Sequence, residues 1–391
     1  MVARLRLLRP LERAVSMGHP WLYADALERG NGLAAGAEVQ LLTRNGRPLA
    51  VGLYDPGSPL AVRVYSLDPK ERLDAAFVRR RLHAALALRL PHFDRTHTDC
   101  FRLCNGEGDR LPGVVVDLYA DVAVLRFDGE AAYTLLPAVV GALGEVASEQ
   151  VLPLRCMYER SRGGVGEARF GPAPTEPVRV REHGVAFAVD VLHGQKTGFF
   201  LDQRENRRRV RSLSAHKRVA NLFSYTGGFS VNAALGGATQ VVSVDVAVPA
   251  IDAARAHFRD NGVDPAAHGF AAVDAFEWLE DERKRGQRYD LIVTDPPSFA
   301  PSERALPAAL AAYRDLNAAA LALLPEGGML CAASCSSHVD LPAFLGTLAE
   351  ASRTARRPLT VLETHGQPLD HPSPPAFLEG RYLKLVVCRV A

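Results

Sequence analysis

The chain has 391 residues, 48% of them hydrophobic and 23% charged, with a formal net charge of +2. That length predicts two or three domains, and the composition is that of a soluble globular protein. The charge balance excludes a uniformly basic nucleic-acid coat, so any basic surface must be local. Met1–Pro10 carries Arg4, Arg6 and Arg9 but no apolar core follows, so no secretory leader is expected. No apolar run is long enough to span a bilayer. The expectation is a cytoplasmic protein, without a membrane partner, whose six cysteines are reduced. Cys100 and Cys104, like Cys331 and Cys335, lack the C-x-x-C spacing of a zinc site, so no structural metal is expected.

Residues 1–67 read as short alternating segments, Glu38–Thr43, Pro48–Tyr54 and Leu60–Tyr65, broken by Arg44-Asn45-Gly46 and by Asp55-Pro56-Gly57-Ser58-Pro59. Strands at that spacing predict a small β-barrel or sandwich. Its arginines, among them Arg44, Arg47 and Arg63, suit either a solvated surface or an RNA-binding face. Asp68–Leu90 has the apolar spacing of a helix, with Arg79-Arg80-Arg81 on or near another face. A turn and strand over Asp109–Asp117, a strand over Val122–Phe127, a helix over Tyr133–Leu143 and a strand over Leu152–Arg160 complete a central α+β domain, residues 68–177. The proline-rich stretch Gly171–Pro177 is its linker.

From Val185 the pattern becomes strands alternating with helices. Strands are predicted at 185–192, 218–223, 240–245, 289–294 and 328–334, with a helix over 202–213 and further helices between the strands. Arg381–Val390 would be a final, antiparallel strand. Residues 178–391 are therefore predicted to be an α/β domain with a mostly parallel, Rossmann-like sheet. Arg218–Asp245 is the unit around which it is organised. A short apolar strand runs into the turn Phe223-Ser224-Tyr225-Thr226-Gly227-Gly228, a helix follows, and a second strand ends on Asp245. An acid at that distance from the turn is placed to hold ribose hydroxyls. The turn is not G-x-G-x-x-G, which favours S-adenosylmethionine over a nicotinamide cofactor.

Three further places lie where an open α/β sheet puts its ligands, at the carboxyl ends of strands. Asp274 is placed to reach an adenine amino group or to cap the helix Ala275–Arg283. Asp295 ends an apolar strand and is followed by Pro296-Pro297-Ser298-Phe299, a stiff turn with a carboxylate and an aromatic for a flat heterocycle. Cys335 ends the strand after Gly327-Gly328, just before a helix near Asp340, where a thiolate is favoured. Cys331, inside that strand, reads as a small buried apolar residue. Arg204, Arg207, Arg208, Arg209 and Arg211 make a charge run beside this presumed site, where phosphate contacts are expected.

With these residues in place, the chain resembles the bacterial ribosomal large-subunit methyltransferase I family, which makes 5-methylcytidine in 23S rRNA. The matching stretches are HPW at 19–21, EHG at 182–184, QKTGFFLDQREN at 195–206, FSYTGGFS at 223–230, VVSVD at 241–245, DPPSF at 295–299, SCS at 334–336 and EGRYLK at 379–384. The resemblance implies a PUA-like RNA-binding domain at the N-terminus, a central domain, a class I methyltransferase domain and a homodimer. It also implies S-adenosylmethionine as methyl donor, with Lys196 and Asp295 joining the turn residues, Asp245 and Asp274 in binding it. Cys335 would be the nucleophile that adds to cytosine carbon 6, and Asp295 the group that hydrogen-bonds ring nitrogen 3. The chain departs from the family where paired acids usually precede the His-Gly, since Arg181-Glu182 stands there. Pro297 and Ser298 stand where many RNA cytosine methyltransferases carry a second cysteine. The nearest rival activity, a guanine N-methyltransferase of rRNA, shares the D-P-P-x-F loop but needs no nucleophile.

Overall fold

The structure, a computed structural model, describes residues 2–161, 166–300 and 302–391. The chain divides into two compact units, Met1–Arg181 with Val189–Leu201 and Leu369–Gly380, and Glu182–Ala188 with Asp202–Pro368 and Arg381–Ala391.

The first unit contains two five-stranded sheets. The N-terminal sheet runs Ala3–Arg6, Ala37–Leu42, Pro48–Tyr54, Val62–Ser66, Trp21–Leu22. Its first pair is parallel and the rest antiparallel, around Leu5, Leu7, Val39, Leu41 and Val62. Burial alternates along Ala37–Leu42, because successive side chains of a strand point to opposite faces, while Val62–Ser66 is buried at every position. The second sheet runs Glu167–Phe170, Cys156–Glu159, Val122–Phe127, Val114–Tyr119, Cys100–Asn105. Helices Ala75–Arg89 and Leu136–Glu149 supply buried side chains to the same core. The predicted helix over Asp68–Leu90 starts late, because the Asp74 side chain accepts from Phe77 N–H and fixes the first turn at Ala75. Strand Cys100–Asn105 was not read from the sequence. It is buried at most positions and so lacks the polar alternation that marks a strand.

The second unit is built on one seven-stranded sheet, in the order Gly269–Ala272, Gln240–Asp245, Arg218–Leu222, Leu291–Thr294, Met329–Ser334, Lys384–Val390, Leu359–His365. The first five strands are parallel to one another. Lys384–Val390 is antiparallel to both its neighbours, as the sequence predicted for this stretch. Leu291–Thr294 is buried throughout, and so is Arg218–Leu222 apart from Arg218, which is why both read as continuous apolar runs. Leu359–His365 went unread because it is largely polar and half-exposed at the sheet edge. The order reverses between Arg218–Leu222 and Leu291–Thr294. A crevice opens outside the carboxyl ends of strands at such a reversal, and it is where ligands bind in sheets of this kind.

Candidate active site

Arg218–Leu222 feeds the turn at that reversal, and the turn is strained. Phe223, Tyr225 and Gly227 all have positive φ, of 58°, 47° and 77°. For two aromatic residues the left-handed region costs about 1–2 kcal/mol each, so surrounding bonds must hold them there. Ser224 N–H donates to Val244 O at 2.9 Å and Gly227 N–H to Ser224 O at 2.8 Å. Tyr225 N–H donates to Asp245 Oδ2 at 2.8 Å. Gly227 is required twice over, because a Cβ there would also lie 2.7 Å from the Ala254 Cβ. Helix Gly228–Leu235 starts directly behind the turn.

Asp245 ends the neighbouring strand, and its other oxygen accepts from Ala247 N–H at 3.0 Å. Each carboxylate oxygen has two lone pairs, so one of each remains for ribose hydroxyls. Ser224 Oγ is buried without a hydrogen-bond partner among the described residues, as is Asn221 Oδ1. An orphaned buried polar atom costs about 1–3 kcal/mol, and a ligand bearing hydroxyls and amines removes that cost at Ser224. The turn and its acid thus fit a nucleoside-containing cofactor. Asp274 is the N-cap of helix Ala275–Lys284, with Oδ1 accepting from Phe276 N–H at 2.8 Å and Glu277 N–H at 3.2 Å.

Across the reversal, Thr294 pairs with Leu222 on one side and Ala332 on the other. Asp295 and Cys335 therefore leave the sheet at the same edge as the turn. Both are half-buried, and Cys335 Sγ lies 3.9 Å from Pro296 O. Asp295 Oδ1 accepts from Gln203 Nε2 at 2.9 Å, and Gln203 Oε1 in turn accepts from Asn206 Nδ2 at 2.5 Å. Lys384, paired in register with Ser334, is only 6% exposed. Its ammonium donates to Ser336 O at 2.6 Å and to Val339 O, so the loop after Cys335 wraps a cation. Burial lowers the Lys384 pKa to about 8, against the opposing pull of Cys335 and Asp340. The sequence reading gave neither Gln203 nor Lys384 a role of its own. Each sits inside a matching stretch, which was the available signal.

One further expectation needs correction. The helical arginines are not a free phosphate-binding face. Arg204 and Arg207 are buried, and Arg207 Nε donates to the buried Glu182 at 2.7 Å. Arg209 Nε donates to Glu363 at 2.8 Å, and Arg208 is the exposed member of the run. Structural ion pairs have claimed most of the charge. Phe299 is half-buried, with its ring 4.9 Å from that of Tyr313. Lys196 lies in the first unit, exposed, with its ammonium 4.6 Å from the Phe200 ring. Cys331 is fully buried, as predicted, and burial pushes its thiol up to about 12.

The sheet order, the strained turn and the acid at the second strand define a class I methyltransferase. Residues 151–378 match the family model described as S-adenosylmethionine-dependent methyltransferase, and residues 5–67 match that of a PUA-like domain. The chain is 37% identical to ribosomal RNA large subunit methyltransferase I of Shigella boydii serotype 4 (strain Sb227), covering 100% of both chains. It also superposes on a Streptococcus mutans protein described as a SAM-dependent methyltransferase, with a TM-score of 0.88, 26% identity and coverage of 99% and 100%. A second structure, SMU.776, described as a methyltransferase and solved with SAH, gives a TM-score of 0.89 at 26% identity, with coverage of 99% and 100%. The chain belongs to the ribosomal RNA large subunit methyltransferase I family, and its cofactor is S-adenosylmethionine.

Proposed function

We propose that this chain methylates carbon 5 of a cytosine in 23S rRNA, with Cys335 as nucleophile and Asp295 as its electrophilic partner. The observation that carries the proposal is the approach of Cys335 Sγ to the Asp295 loop, 3.9 Å from Pro296 O, at the same sheet edge as the cofactor turn. Carbon 5 of cytosine is too weak a nucleophile unaided. The Cys335 thiolate forms a bond to carbon 6, and the electron pair of the 5,6 double bond shifts toward carbon 5 and the ring. Asp295, held by Gln203, carries a proton to ring nitrogen 3 and stabilises the charge that develops there. Bound S-adenosylmethionine supplies an electrophilic methyl group to carbon 5. A base then takes the carbon 5 proton, the electron pair left behind restores the 5,6 double bond and expels the Cys335 thiolate, and ring nitrogen 3 returns its proton to Asp295. Residues 1–67 dock the RNA, residues 68–177 form the central domain and residues 178–391 carry the chemistry. Family likeness extends the proposal to a homodimer working in the cytoplasm.

Cys335→Ala tests it directly. Methyl transfer to rRNA should fall by about a thousandfold or more, on the scale of losing the nucleophile of a covalent mechanism. RNA carrying 5-fluorocytidine, which has no carbon 5 proton to lose, should trap a covalent adduct with the unaltered chain and none with the variant. Full activity in Cys335→Ala would discard the covalent route and favour direct attack by a guanine nitrogen.

A further inference from the structure

Within the first unit, two guanidiniums converge on a groove, and among the described residues neither forms an ion pair. The groove, about 260 Å³, is lined by Gly18, His19, Tyr65, Asp68, Arg81 and Arg110 among others. Arg81 comes from helix Ala75–Arg89, with its guanidinium carbon 4.8 Å from the centre of the Phe77 ring. Its Nε is shielded from solvent and has no hydrogen-bond partner among the described residues. Arg110 has a left-handed backbone (φ 61°) and presses against Gly18, where a Cβ would lie 3.3 Å from its Nη1. Burial lowers the proton affinity of Arg81, with Glu71 opposing and the charge of Arg110 adding to the effect.

The neighbouring arginines make the contrast. Arg79 is paired with Glu145 and Glu149, Arg80 with Glu71, Arg63 with Glu107 and Asp128, and Arg89 with Asp109. Glu71, the acid whose charge reaches Arg81, is thus already engaged by Arg80. Asp68, the acid on the groove wall, is exposed and accepts from Lys70 N–H. Two like charges held together, with the nearby Glu71 already paired to Arg80, repel each other, and the fold retains them. Phe77 covers a face of the Arg81 fork and leaves its edge N–H groups, the geometry that binds phosphate oxygens in pairs.

We propose that Arg81 and Arg110 form a subsite for one backbone phosphate of the RNA substrate. The groove is smaller than the roughly 300–1,000 Å³ of a small-molecule site, so it suits a phosphate of a polymer lying mostly outside it. The inference rests on the RNA-methylating reading above.

The test uses the full chain, the variants Arg81→Gln and Arg110→Gln and their double, and a 23S rRNA fragment without cofactor. Each single variant should weaken binding roughly fourfold near 0.1 M salt. Because both arginines serve one phosphate, the double variant should lower the slope of log affinity against log salt by about one, not two. Inorganic phosphate, against chloride of equal ionic strength, should raise the melting temperature of the unaltered chain and not of the double variant. A folded double variant with unchanged affinity and slope overturns the subsite. Phosphate stabilisation without any effect on RNA shows a free-phosphate site and overturns the assignment to RNA. If Arg81→Gln fails to fold, Arg81→Lys with Arg110→Gln keeps one charge but not the fork, so the slope should hold while affinity falls, and unchanged affinity overturns the subsite. A chain that binds RNA with this dependence yet makes no 5-methylcytidine loses the catalytic reading alone, and one with no RNA affinity loses both.

Discussion

Lys384 illustrates how much one buried charge can set. Its ammonium satisfies two carbonyls of the loop that follows Cys335, so Lys384→Met would orphan both. Each orphaned carbonyl costs about 1–3 kcal/mol, so the variant should lose about 2–6 kcal/mol of stability in equilibrium denaturation. It should also slow iodoacetamide alkylation of Cys335 at neutral pH, because a cation beside a thiolate favours it. An unchanged alkylation rate would remove Lys384 from the site. The pH dependence has a definite sign. The folded pKa is depressed to about 8 from 10.5, so between those values the unfolded chain binds more protons and this group's contribution to stability rises with pH. Subtracting the Lys384→Met profile from that of the unaltered chain isolates the rise from the buried cysteines. Cys335, Asp295 and Asp245 were legible in the sequence because each ends an apolar strand. Gln203 and Lys384 were not, since their importance lies in partners remote in sequence.

Among the elements, the turn after Arg218–Leu222 is where structure departs most from local preference. Thr226-Gly227-Gly228 announces a turn, but nothing in the sequence announces that Phe223 and Tyr225 adopt positive φ. That conformation is imposed by bonds to Val244 O and the Asp245 carboxylate, which the next strand supplies. Gly227→Ala should therefore cost about 1–3 kcal/mol from backbone strain and the Ala254 contact together. Isothermal titration should show weaker S-adenosylmethionine binding, and unchanged affinity would mean that the strained backbone does not shape the cofactor cradle. The helix Arg204–Leu213 carries the opposite lesson. Its composition advertises a basic face, yet burial and pairing with Glu182 and Glu363 turn most of that charge into internal scaffolding. Composition records charge and is silent on what answers it.

For the whole molecule, the N-terminal sheet is bound into the first unit more tightly than its small size suggests. Leu53 and Tyr65 belong to the same core as Phe77, Val114 and Leu143. Arg63 reaches Glu107 and Asp128, and Tyr65 OH donates to Pro112 O at 2.6 Å. Removing residues 1–67 would thus strip a wall from that core besides removing the surface proposed to dock RNA. The shortened chain should show a lower first melting transition and more exposed apolar surface by dye binding, and an unchanged melting profile would contradict the shared core. The repeating alternation of strands and helices made the α/β half readable. The shared core was not, because it depends on pairings between distant segments whose sequences do not advertise their partners.

The place of Lys384–Val390 inside the large sheet also governs how the molecule comes into being. Met329–Ser334 emerges from the ribosome with one flank bare, and residues 335–383 must follow before the strand that covers it arrives. Until then a nascent chain carries an open hydrogen-bonding edge of the kind that invites aggregation. The loop that follows Cys335 also waits for Lys384 to gather it, so this part of the sheet edge is among the last to be set in position during the chain's birth.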